Sequence, residues 1–407
     1  MSIGSTRAIC QSERMKNAPL SSIRNIIAYS DKLEQEGRSI IHLELGEPDF
    51  GTPAHIIDAC KKALDNQEVH YGPIAGTVEL RKALSRHCTR YGLEYAPEEI
   101  LVSTGVVHGV FLSMLAYLDP GDEILVPDPG YLIYFADPHI AQAKPVSYPL
   151  REENGFQLDA ETLEALITPR TKAIVIINPN NPTGALYPRE VLQEIVEVAR
   201  KHQLMIFSDE IYDRLVFDGE EHVSIASMAP DLFCITFSGL SKSHMIAGYR
   251  IGWMVLSGNR ACARDFILGL DMLSNMRLCS NVPAQSIVQT ALWGHQSVQS
   301  YVVPGGRVYE QREYVYNALN SIDGITAVKP KGGFYIFPKI DTKKFNITND
   351  EQFALDLLHE KKILLVPGKG FNWDQPDHFR VVYLPRIEVL SECMTNLDDF
   401  LHHYRQA

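Results

Sequence analysis

Two periodicities take turns along the middle of the chain. Short runs rich in Val, Ile, Leu and Phe alternate with stretches whose apolar residues recur every three or four positions. The strand-like runs lie at 100–103, 123–126, 144–148, 172–177, 204–207 and 233–237, and the helical stretches at 107–117, 131–138, 160–167 and 189–202. In the last of these, Val191, Ile195, Val198 and Ala199 make one face, while Glu190, Glu194, Glu197 and Lys201 lie off it. That is the pattern of a helix with one side against a core. Ala173–Ile177 is apolar throughout, which suits a strand covered on both faces. The alternation predicts an α/β fold, with a large domain built on a mostly parallel sheet flanked by helices.

The rhythm differs at both ends. Residues 1–19 predict a flexible arm, 20–37 an amphipathic helix stopped by Gly37, and 40–45 a short strand running into the turn Gly46-Glu47-Pro48-Asp49-Phe50. Helices are predicted at 55–64 and 78–91, with the loop His70-Tyr71-Gly72-Pro73 between them. Beyond Gly294 come a long helix from Gly305–Gly306 to about 322, strands at 327–328 and 334–337, and a helix at 350–361. Strands near 363–366 and 379–383 and a last helix over 388–404 follow. This reads as a smaller α+β domain completed by the N-terminal segment. The predicted division is 1–48 for the arm and a segment of the small domain, 49–304 for the large domain, and 305–407 for the small domain.

Composition narrows the function. The chain has 407 residues, 45% apolar and 22% charged, ordinary values for a globular protein of two or three domains. A net charge of −12 argues against nucleic-acid binding. No apolar run is long enough to span a membrane, and the first residues carry no apolar signal core. The seven cysteines are scattered and form no CxxC pair. They predict reduced thiols and a cytoplasmic location, with neither a disulfide framework nor a structural zinc. The 14 histidines form no HExxH, and no metal site is predicted.

Candidate chemistry collects where strands end, the usual place for ligands in such folds. Lys242 follows the 233–237 run within SGLSKSHMIAGYRIGW, between Gly239–Leu240 and the apolar Met245–Ile246–Ala247. Such surroundings disfavour the charged amine and favour a nucleophile of the kind that forms Schiff bases. A solvated surface lysine is the plain alternative. Arg250, eight residues on and just after Gly248, suits a phosphate.

Three further stretches follow the same rule. Asn178-Pro179-Asn180-Asn181-Pro182-Thr183-Gly184 follows the 172–177 run. Its residues make ordinary turns, but two Asn-Pro steps stiffen it beyond what a turn needs, and either bond is a candidate for cis geometry. A side-chain amide held there could donate a fixed hydrogen bond. Ser208-Asp209-Glu210-Ile211-Tyr212 is either a helix cap with an acidic first turn or a crevice carboxylate that pairs with a cationic ring nitrogen. Thr104-Gly105-Val106-Val107 opens a helix whose free N–H groups would bind an anion such as phosphate. Together the set asks for a ligand with a phosphate, an aldehyde, a ring nitrogen and a ring hydroxyl, which describes pyridoxal 5′-phosphate. GxGxxG and GxxxxGK[ST] are both absent.

NPNNPTG, SDEIY, SGLSK with Arg250 eight residues on, and PDHFRVV resemble the class I/II aminotransferases of the fold-type I pyridoxal-phosphate family. The resemblance runs in register from Gly46 to Arg380. Within that family NMRLCSNVPAQ and FNWDQPDHFR are most similar to bacterial glutamate–pyruvate (alanine) aminotransferases. The resemblance implies that Lys242 forms the Schiff base and then moves the proton between Cα and C4′. It implies that Asp209 keeps the pyridinium nitrogen protonated, Tyr212 and Asn181 bond the ring oxygen, and Tyr131 stacks on the ring. The phosphate falls to the Gly105, Val106 and Val107 N–H groups, Arg250, and Ser238 or Ser241. Arg380 binds the substrate carboxylate beside the Gly46 backbone, where Tyr131 and Asn181 also face substrate. Tyr71 reaches the neighbouring subunit's cofactor phosphate, which implies a homodimer with shared sites.

Two departures stand out. Gly239 occupies the place where many members carry Ser or Thr three residues before the lysine, and Val106–Val107 offer no side-chain donor. The implied reaction is L-alanine + 2-oxoglutarate = pyruvate + L-glutamate. Its rivals are an aspartate or aromatic aminotransferase, and a cysteine-conjugate β-lyase on the same fold. A regulator that uses such a domain as a sensor would need a DNA-binding module, for which residues 1–48 are too short and insufficiently basic.

Overall fold

The apolar run Thr171–Ile177 lies in the interior of a seven-stranded sheet, with Ile174 and Ile176 completely buried. Burial of such a side chain stabilises the fold by about 1.5–3 kcal/mol. The structure is a computed structural model and describes residues 9–16, 18–19 and 23–407. The strands are ordered Ile100–Ser103, Gly252–Gly258, Phe233–Gly239, Met205–Asp209, Thr171–Ile177, Glu123–Asp128 and Lys144–Pro149 across the sheet. All pairs are parallel except those of Gly252–Gly258, which runs against both neighbours. The expected α/β architecture with a mostly parallel sheet is therefore present. The antiparallel strand Gly252–Gly258 is an addition, joined by a hairpin connection where the strand–helix alternation breaks.

Two apolar layers cover the sheet. One contains Leu192, Ile195, Val196 and Ala199 of the helix Arg189–His202. Ile195, Val198 and Ala199 of the expected face are buried, Leu192 and Val196 join them although they were not expected there, and Val191 sits at the rim. The other layer contains Val110, Met114, Phe207, Phe237 and Leu270. A third cluster gathers Ile26, Leu33 and Leu43 with Leu357, Val381 and Leu397. The two-residue strand Ile41–His42 joins it by parallel pairing with Ile363–Leu364, shorter than the expected 40–45.

Other differences from expectation have local causes. Glu13–Lys16 form one helical turn inside the stretch expected to be a flexible arm; residues 1–8 and 17 of that stretch lie outside the described residues, as do 20–22 of the next helix. Helices at Arg264–Arg277, Val282–Ser286 and Val288–Trp293 had no expected counterpart. In the first of these, Leu268, Met272 and Met276 are exposed, so apolar residues on both sides blur its periodicity. The 204–207 strand extends through Asp209, and no helix follows it.

That extension positions the site. Asp209 pairs in register with Ile177 on one side and Phe237 on the other. The Asn178–Gly184 loop, the Asp209 carboxylate and the segment after Gly239 therefore lie together at the carboxyl ends of three adjacent interior strands. The bonds Asn178–Pro179 and Asn181–Pro182 are both cis.

The Phe233–Gly239 and Gly252–Gly258 strands form a hairpin whose connection carries Lys242 and Arg250. At its base Gly258 has φ +78°, and an added Cβ would overlap the Leu232 carbonyl oxygen. Gly258→Ala is expected to cost about 1–3 kcal/mol. The urea midpoint of unfolding should fall accordingly, and an unchanged midpoint would contradict this packing.

Candidate active site

Strand ends on one side and the third apolar cluster on the other leave a cavity of about 370 Å³. Of the residues singled out from the sequence, Gly46, Val106, Val107, Tyr131, Asn181, Asp209, Tyr212, Ser241, Lys242, Arg250 and Arg380 line it. Gly105 lies directly behind, where an added Cβ would overlap the Arg250 Nη2. Two residues stand apart. Ser238 is buried within its strand and does not line the cavity, so Ser241 is the serine at the site. Tyr71 is 85% exposed and lies away from the cavity of its own chain.

Asp209 is 4% exposed. Its Oδ2 accepts from the Tyr134 hydroxyl at 2.8 Å and its Oδ1 from the Ile211 N–H at 3.2 Å. Burial raises its pKa from 3.8 to about 6, although the Tyr134 and Ile211 bonds pull the other way. No cation of the described chain forms an ion pair with it.

Lys242 is half-buried and donates to the Gly46 carbonyl at 2.6 Å. It forms no ion pair among the described residues. Arg250, in the left-handed region with φ +54°, donates to the Ala247 carbonyl at 2.7 Å and leans over Gly105. Gly105 itself has φ +84° and turns the chain into the helix Val106–Tyr117. An added Cβ on Gly252 would lie 2.7 Å from the Gly105 carbonyl carbon and 2.8 Å from the Val106 nitrogen. Glycine is thus required on both sides of this cradle. Behind it Arg277 donates to the Val102 carbonyl at 3.2 Å, supporting the strand end, and Cys279 accepts from the Gly72 N–H.

Arg380 is 7% exposed on the strand Phe379–Val382. Its Nη1 donates to Asn181 Oδ1 at 3.0 Å and its Nη2 to the Glu44 carbonyl. Its guanidinium lies 4.5 Å from the Tyr335 ring centre and 4.7 Å from that of Phe371. Its Nε is buried without a partner, and no carboxylate forms an ion pair with it among the described residues. Burial holds its pKa below the arginine norm, with Tyr335, Tyr212, Tyr131 and Glu44 acting the other way. A buried cation of this kind is costly unless an anion joins it.

Sequence motifs did not reveal Tyr335, Tyr134 or Glu44. Tyr134 lies three residues beyond Tyr131 in a helix that begins at Ile133. Tyr335 arrives by strand pairing with Phe379–Val382, and Glu44 lies next to the turn that includes Gly46. None has a short-range signal except Glu44, whose place beside Gly46 was visible.

Residues 38–391 match the family model for aminotransferase class I and II. The glutamate-pyruvate aminotransferase AlaA of Escherichia coli is 44% identical over 400 residues, 97% of this chain and 98% of its own. An alanine aminotransferase of Mycobacterium tuberculosis is 43% identical over 409 residues, covering 98% and 94%. The crystal structure of an aminotransferase from Escherichia coli superposes with a TM-score of 0.96 at 43% identity, covering 98% of this chain and all of that one. The chain belongs to the class I and II aminotransferases.

The Asp209 environment has a measurable consequence. With its pKa near 6 in the fold and 3.8 ordinarily, the ligand-free folded state holds a proton that the unfolded chain has released between those values. Stability therefore falls as pH rises through that window. Asp209→Asn does not titrate there. Without ligand it should gain on the parent from pH 4 to 6, by at most about 3 kcal/mol, and hold that advantage above. Urea unfolding across this range checks it, and a pH-independent difference would contradict the buried carboxylate.

Proposed function

We propose that this chain catalyses L-alanine + 2-oxoglutarate = pyruvate + L-glutamate with pyridoxal 5′-phosphate, as two half-reactions on one site. One observation carries the reading. The buried, unneutralised Arg380 opens into the same cavity as the Lys242 amine and the isolated Asp209 carboxylate. A cationic ring, an aldehyde and an α-carboxylate are the groups that answer those three. The names of relatives at 43–44% identity over nearly the whole chain support alanine and glutamate as substrates.

The residues fit the cofactor. Val106 and Val107 begin a 12-residue helix whose free N–H groups attract an anion, and Arg250 and Ser241 add donors at that end. Asp209 would pair with the ring nitrogen, and Tyr212 and Asn181 would bond the ring oxygen. Tyr131 would cover a ring face. Bound pyridoxal phosphate supplies an aldehyde that captures amines and a ring that accepts the electron pair released at the substrate Cα.

The chain's own residues perform the rest. Lys242 would hold and move the proton released at the substrate Cα; a positioned base of this kind contributes about 10²–10⁴ in rate. Arg380 grips the substrate carboxylate with its two-pronged guanidinium, a geometry lysine cannot reproduce. Gly46, whose carbonyl holds the Lys242 amine, leaves its side-chain position to Tyr335. Residues 49–304 form the large unit of the proposed division, and 1–48 with 305–407 the small one. The pairing of Ile41–His42 with Ile363–Leu364 supports it.

The test is the visible spectrum of the protein with pyridoxal phosphate. L-Alanine alone should bleach the band and 2-oxoglutarate restore it, and Lys242→Ala should do neither. A band indifferent to alanine would point to aspartate or aromatic substrates. Absence of a band would overturn the cofactor.

The same reading includes a homodimer in which Tyr71 reaches the neighbouring cofactor phosphate. Leu268, Met272 and Met276, spaced four apart on one helix, are 58%, 53% and 75% exposed, and Tyr71 is exposed as well. An apolar stripe of this kind favours a protein contact over water. No helix among the described residues is long and apolar enough to cross a membrane, and the seven free cysteines suit a reducing cytoplasm. Sedimentation of the active enzyme should give a dimer, and a fully active monomer would contradict the shared site.

A further inference from the structure

We propose that Tyr335 is a positioning residue for both ends of this reaction. Its hydroxyl donates to the Tyr212 hydroxyl and so commits the single Tyr212 proton to the cofactor. Its ring face fixes the Arg380 guanidinium that receives the substrate carboxylate. The inference rests on the pyridoxal-phosphate reading above.

Strand register brings Tyr335 to this place. The strand Tyr335–Ile336 pairs antiparallel with Phe379–Val382, with Tyr335 opposite Val382. Arg380 is two residues from Val382 and therefore on the same face of the strand. A diagonal neighbour at that separation is within reach of an aromatic ring, and the guanidinium lies 4.5 Å from the ring centre. Tyr335 is 2% exposed, so this cation–ring contact is largely withdrawn from water, where it is strongest.

The hydroxyl end is equally constrained. The Tyr335 and Tyr212 oxygens are 2.7 Å apart, and the rings meet edge to face at 5.5 Å. Neither hydroxyl has another hydrogen-bond partner among the described residues. Each phenol owns one proton. If Tyr212 donates to the cofactor, it can only accept from Tyr335. If it donates to Tyr335, it has no proton for the cofactor. Gly46 closes the remaining side. A Cβ there would overlap the Tyr335 hydroxyl and lie 2.8 Å from the Cε1 and Cζ atoms of its ring. The phenol therefore rests against the residue whose carbonyl holds Lys242.

A chain of two donors polarises the second. It favours the cofactor form that carries more negative charge at the ring oxygen, and so lowers the pH at which the bound cofactor loses its proton. The experiment uses the pyridoxal-phosphate-loaded enzyme, with Tyr335→Phe, Tyr335→Leu and, for reference, Tyr212→Phe. The first readout is the pH midpoint of the cofactor absorption change. The second is the dissociation constant of 2-methylalanine, which lacks the Cα proton and cannot be transaminated.

Tyr335→Phe should raise the midpoint by about 0.1–0.6 pH unit, less than Tyr212→Phe does. It should leave 2-methylalanine binding within about twofold, because the ring remains. Tyr335→Leu should raise the midpoint similarly and weaken 2-methylalanine about 3- to 30-fold. A midpoint that is unchanged or lowered in Tyr335→Phe overturns the inference. Equal binding in the Phe and Leu variants also overturns it, as does a parallel movement of both readouts in both variants, the mark of general loosening. A wild-type midpoint above about pH 9 overturns the two-donor chain. A wild-type protein with no cofactor band at all sinks the cofactor reading itself.

Discussion

Arg380 is a cation withdrawn from water, and among the described residues no carboxylate forms an ion pair with it. Desolvating such a group costs several kcal/mol unless neutral partners are arranged around it. Here the partners come from distant parts of the chain: the Asn181 amide, the Glu44 carbonyl, and the Tyr335 and Phe371 rings. Each must be delivered to within a few ångströms. The N-terminal segment, the loop after Thr171–Ile177 and two strands beyond residue 330 therefore converge on one point. They leave the Nε without a partner and the charge without a counter-ion, the features on which the proposed role in holding a substrate carboxylate rests.

A second unneutralised group lies across the same cavity. Asp209 is held by one phenol and one backbone N–H, and burial raises its pKa to about 6. The sheet explains its position, because the carboxylate ends a strand flanked by two others in register. Lys242 lines the same cavity from the connection of the adjacent hairpin. Among the described residues its amine bonds only the Gly46 carbonyl, with no carboxylate to hold it in place. The fold thus holds electrostatic cost at Asp209 and Arg380, which the proposed cofactor and substrate would offset.

Much of this was legible from local signals. The strands from Ile100 to Phe237 announced themselves by apolar runs, and the helix Arg189–His202 by its charged outer face. The site residues Asn181, Asp209, Lys242 and Arg250 sit in stretches whose turn chemistry and spacing are unusual in their own right. The strand Gly252–Gly258 was not expected, because it follows a hairpin connection and so falls outside the strand–helix alternation by which the others were found. The helix Arg264–Arg277 was obscured by Leu268, Met272 and Met276, apolar residues turned outward. Tyr335 and Tyr134 were invisible for another reason. They reach the site through strand register and a helix start set by tertiary packing, and no pattern in the neighbouring sequence encodes that. Which of Ser238 and Ser241 lines the cavity likewise depended on where the strand ends: Ser238 remains inside it, and Ser241 is beyond.

The account stands or falls on which lysine holds the cofactor. The most direct measurement is borohydride reduction of the pyridoxal-phosphate-loaded protein, followed by proteolysis and mass spectrometry of the peptides. A reduced pyridoxyl group on Lys242, and on no other lysine in proportion to protein, is the predicted result. A stoichiometric adduct on a different lysine, with Lys242 unmodified, would contradict the account.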